Sequence, residues 1–251
     1  MSFSSEIKQE LSAHVPPARH CRLAEMAAIL NFCSRVERVE GESPCVKMHT
    51  ENLAVARKYF TLLRKTFNIE MNVSTRQSRN PRGSLSYEVT SFGGLEPVKH
   101  MLVQNQCCRR AYIRGAFLAS GSLSDPEKGY HFEIVCSGEE KADELREMLA
   151  SFGIDARITL RKRSYVLYVK EGSQIADLLN VMEAHVALMK FENVRILKEM
   201  RNSVNRQVNC ETANLNKTVS AAVKQIEDIQ FIQRTIGFDE LPENLAEIAV
   251  L

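Results

Sequence analysis

The feature that most constrains this chain is a duplicated segment. The apolar helix pattern AEMAAILNFCSRV, Ala24 to Val36, returns as RAYIRGAFLASGSL, Arg110 to Leu123, with Met26 answered by Ile113, 87 residues on. Both copies end in small residues. Downstream, Phe67, Asn68, Ile69 and Glu70 are answered by Phe152, Gly153, Ile154 and Asp155, and Ser86, Tyr87 by Ser164, Tyr165. Repetition at this period implies one supersecondary unit copied once, because neither half alone covers its hydrophobic face. The expectation is a pseudo-twofold domain.

The first unit reads as a helix over Cys21 to Cys33, strands at Arg35 to Glu40 and Pro44 to Thr50, and a helix over Asn52 to Phe67. Strands at Glu70 to Thr75 and Ser84 to Thr90 follow, joined by the stretch RQSRNPRGS, where Asn80, Pro81 and Gly83 supply turn geometry. A short helix is expected after Gly93 and Gly94. The second unit repeats the order with a helix Cys107 to Ser120, a strand His131 to Cys136, a helix Glu139 to Phe152 and a hairpin Asp155 to Lys170. Alternation of Tyr165, Leu167, Val169 against Val166, Tyr168, Lys170 is weak, as for a strand buried along most of its length. A helix over Ile175 to Glu183 closes the unit. Ahead of both units, MSFSSEIKQELSAHV reads as an amphipathic helix with Ser4 or Ser5 as N-cap.

From Met189 the texture becomes a long, polar, helix-like stretch whose apolar residues no longer suffice for a core. Asn202, Asn205, Asn209, Asn214 and Asn216 are poor helix interiors, which predicts an extended connector between two helices. A small apolar pattern at helical spacing follows (Val219, Ala222, Val223, Ile226, Ile229, Ile232). Gly237 stops it, and Leu241, Leu245, Ile248 and Leu251 form a last helix. The domains expected are 1–188, with repeats at about 19–100 and 105–183, a basic connector 189–216 and a C-terminal helical domain 217–251.

The chain carries 33 basic against 31 acidic residues, a net charge of +2, so a nucleic-acid face requires local segregation of charge. The N-terminus lacks the apolar run of a signal peptide, and no run reaches transmembrane length. Seven cysteines without a CxxC pair fit reduced thiols in a cytosol. His20 beside Cys21, and adjacent Cys107 and Cys108, lack the ligand spacing of a zinc site and read as ordinary surface or core residues. His131 and Glu133 share a strand face without a partnered nucleophile. No phosphate loop or dinucleotide fingerprint appears, and no cofactor, metal or catalytic residue is expected.

The motif pair within an αββαββα order resembles the LAGLIDADG homing-endonuclease fold, and the whole chain resembles the bacterial WhiA family, most specifically in MRNSVNRQVNCETANLNKT, Met200 to Thr218. The resemblance implies an α+β, pseudo-twofold LAGLIDADG-like domain, a helical connector and an incomplete, all-α helix-turn-helix domain, with further residues after Leu251. In such nucleases the last acidic residue of each motif holds a divalent metal. The matching positions are Cys33 and Ser120, and neither is a carboxylate. Phosphodiester hydrolysis needs hard oxygen ligands around such an ion, so no nuclease activity is expected unless carboxylates such as Asp125 or Glu37 reach the site.

The resemblance further implies a double-stranded-DNA-binding regulator of sporulation-linked transcription or of cell division and chromosome segregation, cytoplasmic, associated with the nucleoid and monomeric. Candidate DNA contacts are Arg76, Arg79 and Arg82 in one hairpin, Arg161, Lys162 and Arg163 in the other, and Lys198, Arg201, Asn205 and Arg206 in the connector. Cations at hairpins can follow phosphates or merely keep turns soluble. Asn205 and Asn209 can equally brace a junction. The segment from Gly237 carries Asp239, Glu240, Glu243 and Glu247 without a cation and so repels phosphate. The other reading is a scaffold that binds a protein partner through its LAGLIDADG-like domain.

Overall fold

In a computed structural model the residues described are 2–37, 45–67, 71–77, 85–92, 103, 105–235, 237, 240 and 242. Outside them lie Arg79 and Arg82 with their turn, the helix expected after Gly94, and most of the acidic C-terminal segment. The chain divides into two units, residues 1–195 and 196–251.

In the first unit, α1 (Phe3–Ala13) opens on Ser2, whose Oγ accepts the Ser5 N–H at 3.2 Å, so the N-cap lies two residues ahead of the earlier of the two expected serines. The repeat then unfolds in register. Helix α2 (Arg19–Cys33) and helix α4 (Gln106–Ser120) have both ends 87 residues apart, the offset of the sequence repeat. Strands β1 (Ser34–Glu37) and β2 (Cys45–Thr50), α3 (Leu53–Phe67), β3 (Met71–Gln77) and β4 (Leu85–Phe92) complete the first copy. The second contains β5 (Gly121–Leu123), β6 (Phe132–Cys136), α5 (Glu139–Ala150), β7 (Arg157–Arg161) and β8 (Ser164–Val169). Both sheets are antiparallel with the same order, β1-β2-β4-β3 and β5-β6-β8-β7. The three-residue β5, too short to carry a periodicity, is absent from the sequence reading.

Helices cover one face of each sheet. Along β6, Phe132, Ile134 and Cys136 are buried while Glu133 and Val135 point the other way. On β8, Tyr165, Leu167 and Val169 join the helix-side core. Val166 on the opposite face is nevertheless buried, which explains the weak alternation. The seam between the copies is α2 against α4. A Cβ placed on Gly115 would stand 2.4 Å from the Glu25 carbonyl oxygen and 2.8 Å from Ala28 Cβ, so only glycine admits this approach.

A charged cluster is sealed beside that crossing. Glu25 and Lys58 are fully buried and Arg114 nearly so. Lys58 Nζ lies 3.0 Å and Arg114 Nε 3.1 Å from Glu25 Oε1, while Arg114 also binds Glu183 and the Met182 carbonyl. Lys58 Nζ further donates to the Leu11 carbonyl at 3.2 Å and to that of His14. Two cations and two carboxylates thus tie α1, α2, α3 and α4 to the turn after α6 (Gly172–Val181). Such a cluster holds only while every member is partnered.

The last helix, α7 (His185–Thr235), begins in this unit: Glu10 accepts the Val186 and Ala187 N–H groups at 2.8 and 2.9 Å, and Phe191 is buried. This helix corrects the expected extended connector over Asn202 to Asn216. From 185 to 235 the chain has neither proline nor glycine, and asparagine costs a helix less than about 1 kcal/mol each. Side-chain contacts such as Gln207 Nε2 to Glu211 Oε1, 3.0 Å, offset part of that.

The second unit contains the remainder of α7, in which none of residues 196–235 is buried. Gly237, at φ 83°, donates to the Ile232 carbonyl and ends the helix as expected.

Candidate functional site

At the C-terminal end of the helix pair, where metal-holding carboxylates would stand, Cys33 Sγ donates to the Ala119 carbonyl at 3.4 Å and Ser120 Oγ to the Ala116 carbonyl at 3.5 Å. Cys33 thus reaches across to α4, whereas Ser120 turns back onto its own helix. Burial pushes the Cys33 thiol up to about 11, against the opposing charge of Lys8. Lys8, its own pKa lowered by burial, places its Nζ 5.8 Å over the Phe117 ring. Of the two carboxylates considered from sequence, Asp125 sits in a turn where its Oδ1 accepts the Glu127 N–H at 3.1 Å. Glu37 ends β1 opposite Cys45.

The uncovered face of the second sheet is mixed, with cations outnumbering its carboxylate and Val135 exposed among them. Strand alternation places Arg157, Thr159 and Arg161 of β7 on it, beside Val166, Tyr168 and the following Lys170 of β8 and Glu133 of β6. His131, Glu133, Thr159, Arg161, Tyr168 and Lys170 line one shallow depression. Within it Glu133 accepts from His131 Nε2 at 3.1 Å and Ser122 Oγ at 3.1 Å, and Arg161 Nη1 lies 3.8 Å away. Lys170 Nζ lies 5.3 Å over the Tyr168 ring. The tip is a two-residue turn with Lys162 at φ 59°, which leaves Arg161, Lys162 and Arg163 exposed. Arg157 and Lys170, absent from the sequence candidates, were marked only by their parity with Arg161 and Tyr168 along their strands.

Arg76 lies on β3, paired with Ser86. Lys198, Arg201, Asn205 and Arg206 all lie on α7, with Arg201, Asn205 and Arg206 exposed.

His20, Cys21, Cys107 and Cys108, read from the sequence as ordinary surface or core residues without the spacing of a zinc site, converge where the first turns of α2 and α4 meet, with their donor atoms all within 4.8 Å of one another.

Residues 19–98 match the model of the WhiA N-terminal LAGLIDADG-like domain, 109–201 that of the WhiA LAGLIDADG-like domain, and 204–251 that of the WhiA C-terminal HTH domain. The chain is 55% identical to the probable cell division protein WhiA of Lachnoclostridium phytofermentans, over all of this chain and 87% of that protein. It is 48% identical to the protein of the same name from Alkaliphilus oremlandii, over 99% of this chain and 85% of the relative. The chain belongs to the WhiA family.

The crystal structure of full-length DUF199/WhiA from Thermatoga maritima shares the fold with a TM-score of 0.75 at 23% identity, over 100% of this chain and 86% of that one. The two LAGLIDADG-like WhiA models fall one on each copy of the repeat, and the WhiA HTH model begins within α7. Among the described residues no helix is long and apolar enough to cross a membrane.

Proposed function

We propose that this chain is a DNA-binding bacterial regulator without nuclease activity, acting at the nucleoid in cell division and chromosome segregation or in sporulation-linked transcription. The observation that carries the reading is the match of residues 204–251 to a helix-turn-helix domain, a module that seats a helix in the major groove. The relatives' names, probable cell division protein WhiA, support the cell-division role. The cations Arg157, Arg161 and Lys170 on the open sheet face, with Lys162 and Arg163 at the hairpin tip, suit the phosphate backbone, which positions a protein on DNA without reading sequence. Arg76, Arg79, Arg82, Lys198, Arg201, Asn205 and Arg206 remain candidate contacts of the same kind.

Absence of nuclease chemistry rests on the helix ends. A neutral thiol and a hydroxyl, both engaged with backbone carbonyls, offer no hard anionic oxygen for a divalent ion.

Fluorescence anisotropy with random duplex DNA at low and physiological salt tests the proposal. Salt-sensitive binding supports it, whereas absence of binding at low salt favours the protein-scaffold reading. Plasmid nicking in magnesium or manganese would overturn the claim about chemistry.

A further inference from the structure

We propose that His20, Cys21, Cys107 and Cys108 bind one zinc ion that clamps the first turns of α2 and α4 together. His20 Nδ1 lies 3.1 Å from Cys108 Sγ, 3.3 Å from Cys21 Sγ and 4.0 Å from Cys107 Sγ. In a tetrahedral site with Zn–S near 2.3 Å and Zn–N near 2.0–2.1 Å, donors stand roughly 3.5–3.8 Å apart, so these distances straddle the required separation. Three thiolates and one imidazole are the soft, nitrogen-containing set that zinc selects.

The placement follows from the repeat. His20 and Cys107 are both second residues of their helices, Cys21 and Cys108 both third, and each pair is separated by the same 87 residues that separate Cys33 from Ser120. The ion therefore sits on the pseudo-twofold axis, each copy supplying two ligands. It stands at the other end of the helix pair from Cys33 and Ser120, twelve residues or roughly 18 Å of helix away.

Two further observations favour a metal there. Cys21 and Cys108 are buried while His20 and Cys107 are exposed, giving an enclosed site with a route in from solvent. Finally, the apolar cluster at this end consists of Cys21, Ala24, Cys108 and Ala111 with Ala18 against it. Such small side chains bury little area, so a metal supplies cohesion that packing does not. Binding displaces the three thiol protons to solvent.

The test uses the full 251-residue chain, purified with reductant and without chelator. Elemental analysis is expected to find one zinc per chain, and cobalt(II) added after zinc removal is expected to give thiolate-to-cobalt charge-transfer bands with the d–d envelope of a tetrahedral, sulfur-rich site. Cys107→Ser and His20→Asn change exposed ligands and spare the buried pair. Each is expected to lose the metal, and Cys107→Ser to reduce the charge-transfer intensity, while far-ultraviolet circular dichroism stays unchanged. A wild-type chain that holds neither zinc nor cobalt would overturn the proposal. So would retention of metal and spectrum by both variants, or a disulfide among Cys21, Cys107 and Cys108 in the freshly isolated protein.

Discussion

Ala28 and Gly115 are the same residue of the repeat, 87 positions apart, and they face each other where α2 crosses α4. A methyl group on Gly115 has no room, because it would meet the Glu25 carbonyl oxygen at 2.4 Å. Gly115→Ala is expected to destabilise by about 1–3 kcal/mol through forced separation of the helices, despite alanine's better helix propensity. Urea denaturation of the two proteins checks this.

Glu25 is the shared anionic partner of Lys58 and Arg114. Glu25→Gln leaves two buried cations with only part of their compensation, and a loss of about 3–5 kcal/mol is expected. Lys58→Met in the same background should recover part of it. Midpoints of urea unfolding for the single and double variants decide the outcome.

His14 gives the stability a pH dependence. Burial lowers its pKa below 6.5, reinforced by the Arg114 and Lys58 charges and opposed by Glu183 and Glu25, and its Nδ1 is buried without a hydrogen-bond partner. The unfolded chain therefore takes up the proton first as pH falls, so His14's contribution is intact above pH 6.5 and is lost between there and its lower folded-state pKa. Folding free energies of wild type and His14→Gln across that window should diverge, with the shallower fall in the variant.

The cationic hairpin is tested by Arg161→Ser, Lys162→Ser and Arg163→Ser together. If each cation neutralises one phosphate, the slope of log affinity against log salt should become shallower by roughly 0.9 per contact, about 2.7 for three. Anisotropy titrations at several salt concentrations measure it, and an unchanged slope removes the sheet face from the DNA-binding surface.

The continuity of α7 predicts that Asn209→Ala raises helix content and gains about half a kcal/mol or less, because asparagine there is an exposed helix-interior residue. Circular dichroism during thermal unfolding reports both. A connector that was extended at Asn209 would show no gain.

The two apolar helices and the equivalence of the two halves were legible in the sequence by itself, while the significance of Cys33 and Ser120 came from the resemblance to the LAGLIDADG fold. Apolar spacing and a fixed repeat offset are local, one-dimensional signals, and they carry over to space because each copy folds alike. Two features eluded that reading for a different reason. The Asn-rich stretch suggested a break, but small propensity penalties cannot end a helix that meets no proline or glycine. The glutamate–lysine–arginine cluster hid among residues of helices that otherwise read as apolar.

Only tertiary structure decided which residues of the two copies become neighbours. Glu25 reaches Arg114, and His20 and Cys21 reach Cys107 and Cys108, because α2 and α4 approach as closely as Ala28 and Gly115 allow. No short-range ligand spacing marks such a site, since its donors come from equivalent positions of the two copies, 87 residues apart.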